Sequence, residues 1–232
     1  GTPEFLVETI TAAKQMTKKP LLFRMDSGND ALENMLLLHW HDPQLKFLIK
    51  HNFRREDRFA IAEELKTVCQ NVKHPRDGKA VYIGSTWRNF ETEKGGSFVI
   101  RMVYEITERT TAADGQEMLF PETGIDMYWT SLGVSDEEVI ALYHNHAVCE
   151  QYHSEIKTDM GIECLPSGKF ETNALIFKLT MIAYNILRII GTAAMKGNDM
   201  PIRHSTIKRR RIRTVIDNLI LLAGHLTDHA RK

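Results

Sequence analysis

Four side chains in one segment, Tyr143, His146, Glu150 and Lys157, have the types and the spacing to act on a phosphate or a metal ion. The pattern predicts one helix over 136–160, in which each residue turns by about 100° and these four fall within an arc about 60° wide. The opposite side of that helix is apolar and carries Val148, Cys149, Tyr152, Ile156 and Met160. One helix face would therefore hold a carboxylate between a phenol hydroxyl and two basic side chains.

A second carboxylate, Asp26, directly follows the apolar run Leu21–Met25, which predicts a strand that ends in a turn. Asp26 and Glu150 are candidate metal ligands, because Mg²⁺ prefers hard oxygen ligands and two such ions can promote phosphodiester cleavage. Asp30 is a weaker candidate, since it lies in the first turn of the next predicted helix, where the helix dipole alone favours carboxylates. The alternative interpretation is structural, with Asp26 as a turn aspartate and Glu150 as an exposed helix glutamate.

The spacing from Tyr143 to Lys157 resembles the Tyr-x2-Arg-x3-Glu-x6-Lys signature of bacterial insertion-sequence transposases of the DDE class. The similarity extends over 143–173, and Arg24–Asp30 is similar to the segment that carries the family's second catalytic aspartate. In all, the resemblance runs from near the start of the chain to about Ile190.

This resemblance implies a function and a set of partners. The implied activity is DNA strand cleavage and transfer, with Asp26 and Glu150 as the catalytic acids that bind Mg²⁺, or Mn²⁺ as an alternative. The implied partner is double-stranded DNA, both transposon end and target, bound by a homodimer in a synaptic complex. We expect an α/β fold, namely an incomplete ribonuclease-H-like core with a β-rich insertion before a C-terminal helical segment.

Two departures from the family pattern matter. The family has a first catalytic aspartate on an earlier strand, yet residues 1–25 contain no aspartate. We therefore expect a C-terminal portion or a decayed copy of a transposase, inactive as given, or alternatively a non-catalytic DNA-binding or regulatory protein derived from one. His146 stands where most of the family has arginine, so its DNA contact should depend on pH.

Further residues are candidates for DNA contact. Tyr143, His146 and Lys157 flank the proposed acid, and Trp87 is the candidate by resemblance to stack on a displaced base, the alternative being a core tryptophan. A basic run can contact DNA phosphates or form a solvated helix end, and it comprises Lys208, Arg209, Arg210, Arg211 and Arg213.

The segments that position these groups are expected in the same order along the chain as in the family that the sequence resembles. We expect a partial ribonuclease-H-like core over 1–56, a β-rich insertion over 57–134, the glutamate helix and a following core helix over 135–196, and a basic C-terminal helix over 197–232. The first long helix has a clear start, because Ser135 and Glu138 form a capping-box pattern.

Composition limits the classes of protein. The formal net charge of the 232 residues is zero, so DNA binding must depend on local clusters rather than on a global field. Three cysteines without a metal-type pairing suggest a reducing compartment. Residues 174–195 are apolar but carry a polar stripe, which favours a buried helix of a soluble protein over a membrane span. We expect a cytoplasmic protein with no membrane partner.

Overall fold

A computed structural model describes residues 1–92, 95–112, 114–145, 147–196 and 209–221, with only the backbone for 147–149. The chain divides into two compact units, residues 1–146 and residues 147–232.

The first unit is built on one six-stranded sheet. Its strands are β1 (Leu21–Met25), β2 (Leu45–Lys50), β3 (Asn71–Arg76), β4 (Lys79–Glu91), β5 (Ser97–Thr111) and β6 (Glu117–Thr130). Across the sheet the order is β1-β2-β6-β5-β4-β3, in which β1 and β2 are parallel and every other pair is antiparallel.

Helices cover both faces of this sheet. They are α1 (Thr2–Met16), α2 (Leu32–His41), α3 (Arg58–Val68) and α4 (Asp136–His144). Buried residues of α1, α2 and α3 pack with Phe47 and Met102 on one face, whereas α4 packs with Leu48 and Val103 on the other. Because successive strand residues point to opposite faces, the neighbours Phe47 and Leu48 enter different cores. The mixed α/β class is confirmed.

The β-rich segment joins the same sheet as the first two strands. Its strand β6 pairs with β2, with Ile49 opposite Trp129. The sequence interpretation missed β3, although Asp77-Gly78 between β3 and β4 is a strong hairpin signal and Gly78 has the positive φ of +67° that such a turn favours. The boundaries at 56/57 and 134/135 stay predictions.

The second unit is helical where it is described. It contains α5 (Ala147–Ser154), a π-helical turn over Glu155–Asp159, α6 (Phe170–Ala194) and α7 (Ile212–Val215), which continues as a π-helical turn over Ile216–Ile220. Ile156, Tyr184 and Ile212 form its buried core. Of the basic C-terminal helix expected over 197–232, only 212–220 is described as helical, and the remainder lies largely outside the described residues.

The prediction of one unbroken helix over 136–160 is wrong. Helix α4 ends at His144 with Asn145 as its C-cap, α5 begins at Ala147, and the chain widens into a π-helical turn after Ser154. The regular rotation of 100° per residue therefore does not hold through the π-helical turn that contains Lys157, and the shared face of the four residues stays a prediction.

Helix α6 is less buried than expected. Within the described residues only Tyr184 and Gly191 of this helix are buried. By length and composition α6 is long and apolar enough to cross a membrane, a criterion that core helices of soluble proteins also meet.

Gly84 provides a test of the packing of the sheet. A Cβ added there would lie 2.6 Å from Cζ of the buried Tyr104, its register partner on β5. Gly84→Ala should lower the free energy of unfolding by about 1–3 kcal/mol, measured by urea denaturation, because overpacking forces neighbours apart. Gly124→Ala on β6 is the control, since nothing lies within 4 Å of its added Cβ. Equal losses in the two variants would contradict this packing.

Candidate functional site

Asp26 lies directly after β1 and caps a short 3₁₀ turn over Ser27–Asn29. Its Oδ1 atom accepts hydrogen bonds from the amide of Gly28 (3.1 Å) and from Nδ2 of Asn29 (2.7 Å). The side chain is exposed, and no donor within the described residues contacts Oδ2. Asp26 therefore has one oxygen fixed by its own turn and one available to a cation.

The loop after β2 forms hydrogen bonds with Asp30 at the end of this turn. Oδ2 of Asp30 accepts hydrogen bonds from Nδ1 of His51 (2.8 Å) and from the amide of Asn52 (2.7 Å). The two loops meet because β1 and β2 are parallel, which places the ends of both strands at the same edge of the sheet. Asp30 is thus engaged within the protein, which is consistent with its weaker standing as a metal ligand.

His51 bridges two carboxylates. Its second ring nitrogen, Nε2, lies 2.7 Å from Oε2 of Glu56. Burial would lower the pKa of His51, but the hydrogen bonds and charges of Asp30 and Glu56 outweigh burial and raise it. For Asp30, burial opposes ionisation, yet the bonds from His51 and from the Asn52 amide lower the pKa of the carboxyl. The sequence interpretation did not identify His51; its signal was an ionisable residue at the end of a buried strand.

An open cavity of about 770 Å³ lies beside this cluster, within the first unit. Arg54, Arg55 and Arg88 line it together with the aromatic residues Phe53 and Phe90. The three exposed guanidinium groups suit a ligand that carries negative charge.

Trp87 is exposed on β4, with 65% of its surface accessible. The alternative of a core tryptophan is therefore wrong for Trp87, whereas Trp129 is the buried one, with 5% accessible. Trp87 lines a second cavity of about 500 Å³ with Trp40 and Lys46. Its stacking on a DNA base stays a prediction.

The remaining candidates around the predicted glutamate fall in different places. Glu150 on α5 and Lys157 in the π-helical turn are both exposed in the second unit. Tyr143 belongs to the first unit, where its ring packs on Tyr128 with the centroids 4.6 Å apart. His146 lies outside the described residues.

The structure describes Asp26 and Glu150 each within its own unit. Among the residues it describes, no group of three or more His, Cys, Asp or Glu side chains is arranged to hold a metal. The shared metal site of Asp26 and Glu150 therefore stays a prediction.

The basic run makes ion pairs that the sequence did not reveal. Arg209 contacts both carboxylate oxygens of Glu155, which is only 1% exposed, and Tyr184 donates its hydroxyl to the same carboxylate at 2.8 Å. The guanidinium of Arg209 also lies 4.5 Å from the ring centre of Tyr152. Glu155 is thus a buried anion that is compensated by a cation and a hydroxyl donor.

A second pair lies one turn further along. Arg211 donates to both oxygens of Asp159, at 2.8 and 3.0 Å, and the amide of Arg213 adds a contact at 3.2 Å. Burial would raise the pKa of Asp159, but the bonds from Arg211 and Arg213 outweigh burial and lower it. The carbonyl of Arg210 accepts a hydrogen bond from Arg188. Arg209 and Arg211 therefore already serve an internal role, and their predicted DNA contact is untested, while Lys208 lies outside the described residues.

The Glu155–Arg209 pair leads to a test of stability. Glu155→Ala should lower the free energy of unfolding by about 3–5 kcal/mol, because it leaves a largely buried cation without its carboxylate. The double variant Glu155→Leu, Arg209→Met should recover most of that loss, since it removes both charges. Denaturant unfolding of Glu155→Leu, of Arg209→Met and of the double variant measures the coupling between the residues. Losses that simply add would show that the two residues are not coupled.

His51 leads to a test of pH dependence. A raised pKa in the folded state means that the stabilisation is complete below the unfolded value of about 6.5 and is lost as pH rises through the folded value. Wild-type protein should therefore lose stability above about pH 6.5 more steeply than His51→Asn, which cannot ionise. Urea unfolding at pH 5 to 9 measures both slopes, and parallel slopes would exclude His51 as the source.

Comparison with known proteins identifies the family. The family described as Transposase DDE domain matches residues 5–186, which is more than half of the chain. The matched range includes Asp26, Glu150 and Lys157, and it ends before the basic run. No curated protein matches the chain. The resemblance to insertion-sequence transposases is thus confirmed, and the chain belongs to the family of transposase DDE domains.

Proposed function

We propose that this chain supplies two of the catalytic acids, Asp26 and Glu150, for metal-dependent cleavage and transfer of DNA strands at insertion-sequence ends. The observation that carries the proposal is the state of Asp26: it is exposed at the end of β1, and Oδ1 alone is engaged by described residues. The family match supports the assignment, because it includes both acids.

The donor set fits a hard divalent cation. Carboxylate oxygens are the ligands that Mg²⁺ prefers, and Asp26 and Glu150 are both exposed. Mg²⁺, or Mn²⁺ in its place, supplies Lewis-acid activation of the attacking oxygen and neutralises negative charge that develops on the phosphate. Other residues of the chain position the carboxylates of Asp26 and Glu150 and contact the DNA backbone.

Exposed side chains provide the DNA contacts in this proposal. Lys157 offers a cation two positions beyond the buried Glu155, and Trp87 offers an aromatic face on β4. The half-buried Tyr143 and the basic run, of which Arg209 and Arg211 also pair with Glu155 and Asp159, are further contacts. Transposon-end and target DNA are the ligands of a homodimer in a synaptic complex. A cytoplasmic location follows from this role, and we propose no membrane partner.

The absence of an aspartate from residues 1–25 favours a second function. Residues 1–25 contain no aspartate, so the family's first catalytic acid has no counterpart among them. We therefore propose that these 232 residues do not cleave DNA by themselves. A non-catalytic DNA-binding or regulatory role is the alternative for the chain in isolation.

Metal binding tests the assignment of the two acids. Asp26→Asn and Glu150→Gln should each weaken the binding of Mg²⁺, measured by amide chemical shifts during titration, because each removes a charged oxygen ligand. Binding of duplex DNA should persist in both variants. Mg²⁺ binding that survives unchanged in both would exclude these residues as ligands, and strand cleavage by the isolated chain would contradict its proposed inactivity.

Salt dependence tests the DNA contacts. Each phosphate contact by a cation contributes to the linear fall of log K with log salt concentration, so Lys157→Ala should reduce that slope by about 1. Lys178→Ala is the matched control, because Lys178 is an exposed lysine of α6 in the same unit. An affinity for duplex DNA that does not fall with added salt would rule out the nucleic-acid function.

A further inference from the structure

The turn that carries Asp26 is tied at several points to the loop after β2. Besides the two bonds to Oδ2 of Asp30, Nδ2 of Asn52 donates to the carbonyl of Ser27 at 3.2 Å. A guanidinium nitrogen of Arg54 donates to the carbonyl of Asp30 at 2.7 Å. The donors on residues 51–54, called the brace here, therefore reach both ends of the turn.

The brace is itself fixed to the sheet. The amide of His51 donates to the carbonyl of Met127 on β6 at 2.7 Å, and Phe53 is buried in the core. Arg54 has a φ of +49°, the one positive value among the described residues other than glycine. Such a backbone is unfavourable for a residue with a Cβ, and here the amide of Arg54 bonds Oδ1 of Asn52 at 3.1 Å. The brace thus has a defined conformation that it can impose on the turn.

A buried asparagine also supports the turn. Asn34 on α2, which is 4% exposed, donates from Nδ2 to the carbonyl of Asn29 at 2.9 Å. Asn29 in turn donates to Oδ1 of Asp26. Two consecutive hydrogen bonds, from Asn34 to Asn29 and from Asn29 to Asp26, therefore link the core to the carboxylate, and the brace makes separate bonds to the turn.

We propose that His51 and Asn52 are positioning residues for Asp26, which act through Asp30 and Ser27 to fix the direction in which Oδ2 is presented. This inference rests on the proposed role of Asp26 as a metal ligand. Mg²⁺ demands a near-ideal octahedral arrangement of oxygens, so a carboxylate on an untethered turn would be a poor ligand. The hydrogen bonds from the brace restrict the movement of the turn and therefore of the Asp26 carboxylate.

Removing single donors of the brace tests the proposal. Asn52→Ala and His51→Ala should each raise the Kd for Mg²⁺ about tenfold, as is typical when outer-shell partners of a metal ligand are lost. They should also accelerate hydrogen exchange of the Gly28 amide, which bonds Asp26. Titration with MgCl₂ of the full 232-residue chain, followed by the amide shifts of Ser27, Gly28 and Asn29, gives the Kd values.

Two further variants separate positioning from general damage. His51→Asn places an amide donor near the former Nδ1 atom, so it should restore most of the Mg²⁺ affinity that His51→Ala loses. Asn89→Ala is the control, because Asn89 lines the same cavity as His51 and Asn52 but bonds Ser97 rather than the turn. This variant should leave the Kd for Mg²⁺ unchanged. Amide protection of β1 and β2 reports whether each variant is folded.

The outcomes distinguish this inference from the proposed function. If wild-type protein binds Mg²⁺ at the turn and Asn52→Ala binds it as Asn89→Ala does, the brace has no positioning role and the metal assignment stands. If wild-type protein shows no Mg²⁺ effect at residues 26–29, the metal role of Asp26 is wrong and the inference fails with it. A tenfold loss with rescue by His51→Asn supports both.

Discussion

The parallel pairing of β1 with β2 is the constraint on which the first unit's site depends. Parallel strands end at the same edge of a sheet, so the turn after β1 and the loop after β2 are brought into contact. There, His51 and Asn52 can bond Asp30, and the Asp26 carboxylate is left exposed beside them. An antiparallel arrangement would have placed the two loops at opposite edges, and Asp26 would have had only its own turn for support.

The second unit depends on compensated charge instead. Glu155 is nearly inaccessible to water, and Arg209 and Tyr184 satisfy its carboxylate oxygens. Asp159 and Arg211 repeat the arrangement at a more exposed position. The segment that carries Lys157 is thereby joined to residues 209–213. The overall charge of zero is consistent with such pairing, because Arg209 and Arg211 are each balanced by an acid of the same unit.

Local patterns predicted individual elements well, because apolar periodicity and turn residues act over a few positions. The strand before Asp26, the β-rich character of the segment that contains β4 and β5, and the apolar helix α6 all agree with expectation. Predictions that required regularity over a long segment failed. One helix over 136–160 became two helices and a π-helical turn. Burial of α6 was inferred from its composition, yet burial depends on neighbours that composition does not specify.

Residue types and spacing were sufficient to indicate the transposase family, the exposed acid at the end of β1 and the acid on the later helix, because these features are written in short stretches of the chain. The roles of His51, Asn52 and Glu155 were not accessible in this way. Each depends on a partner more than twenty positions distant, whether Asp30, Ser27 or Arg209, and folding alone sets those distances. A charged residue becomes a ligand, a brace or a buried ion according to which groups surround it, and those groups are assembled by the pairing of strands and the packing of helices.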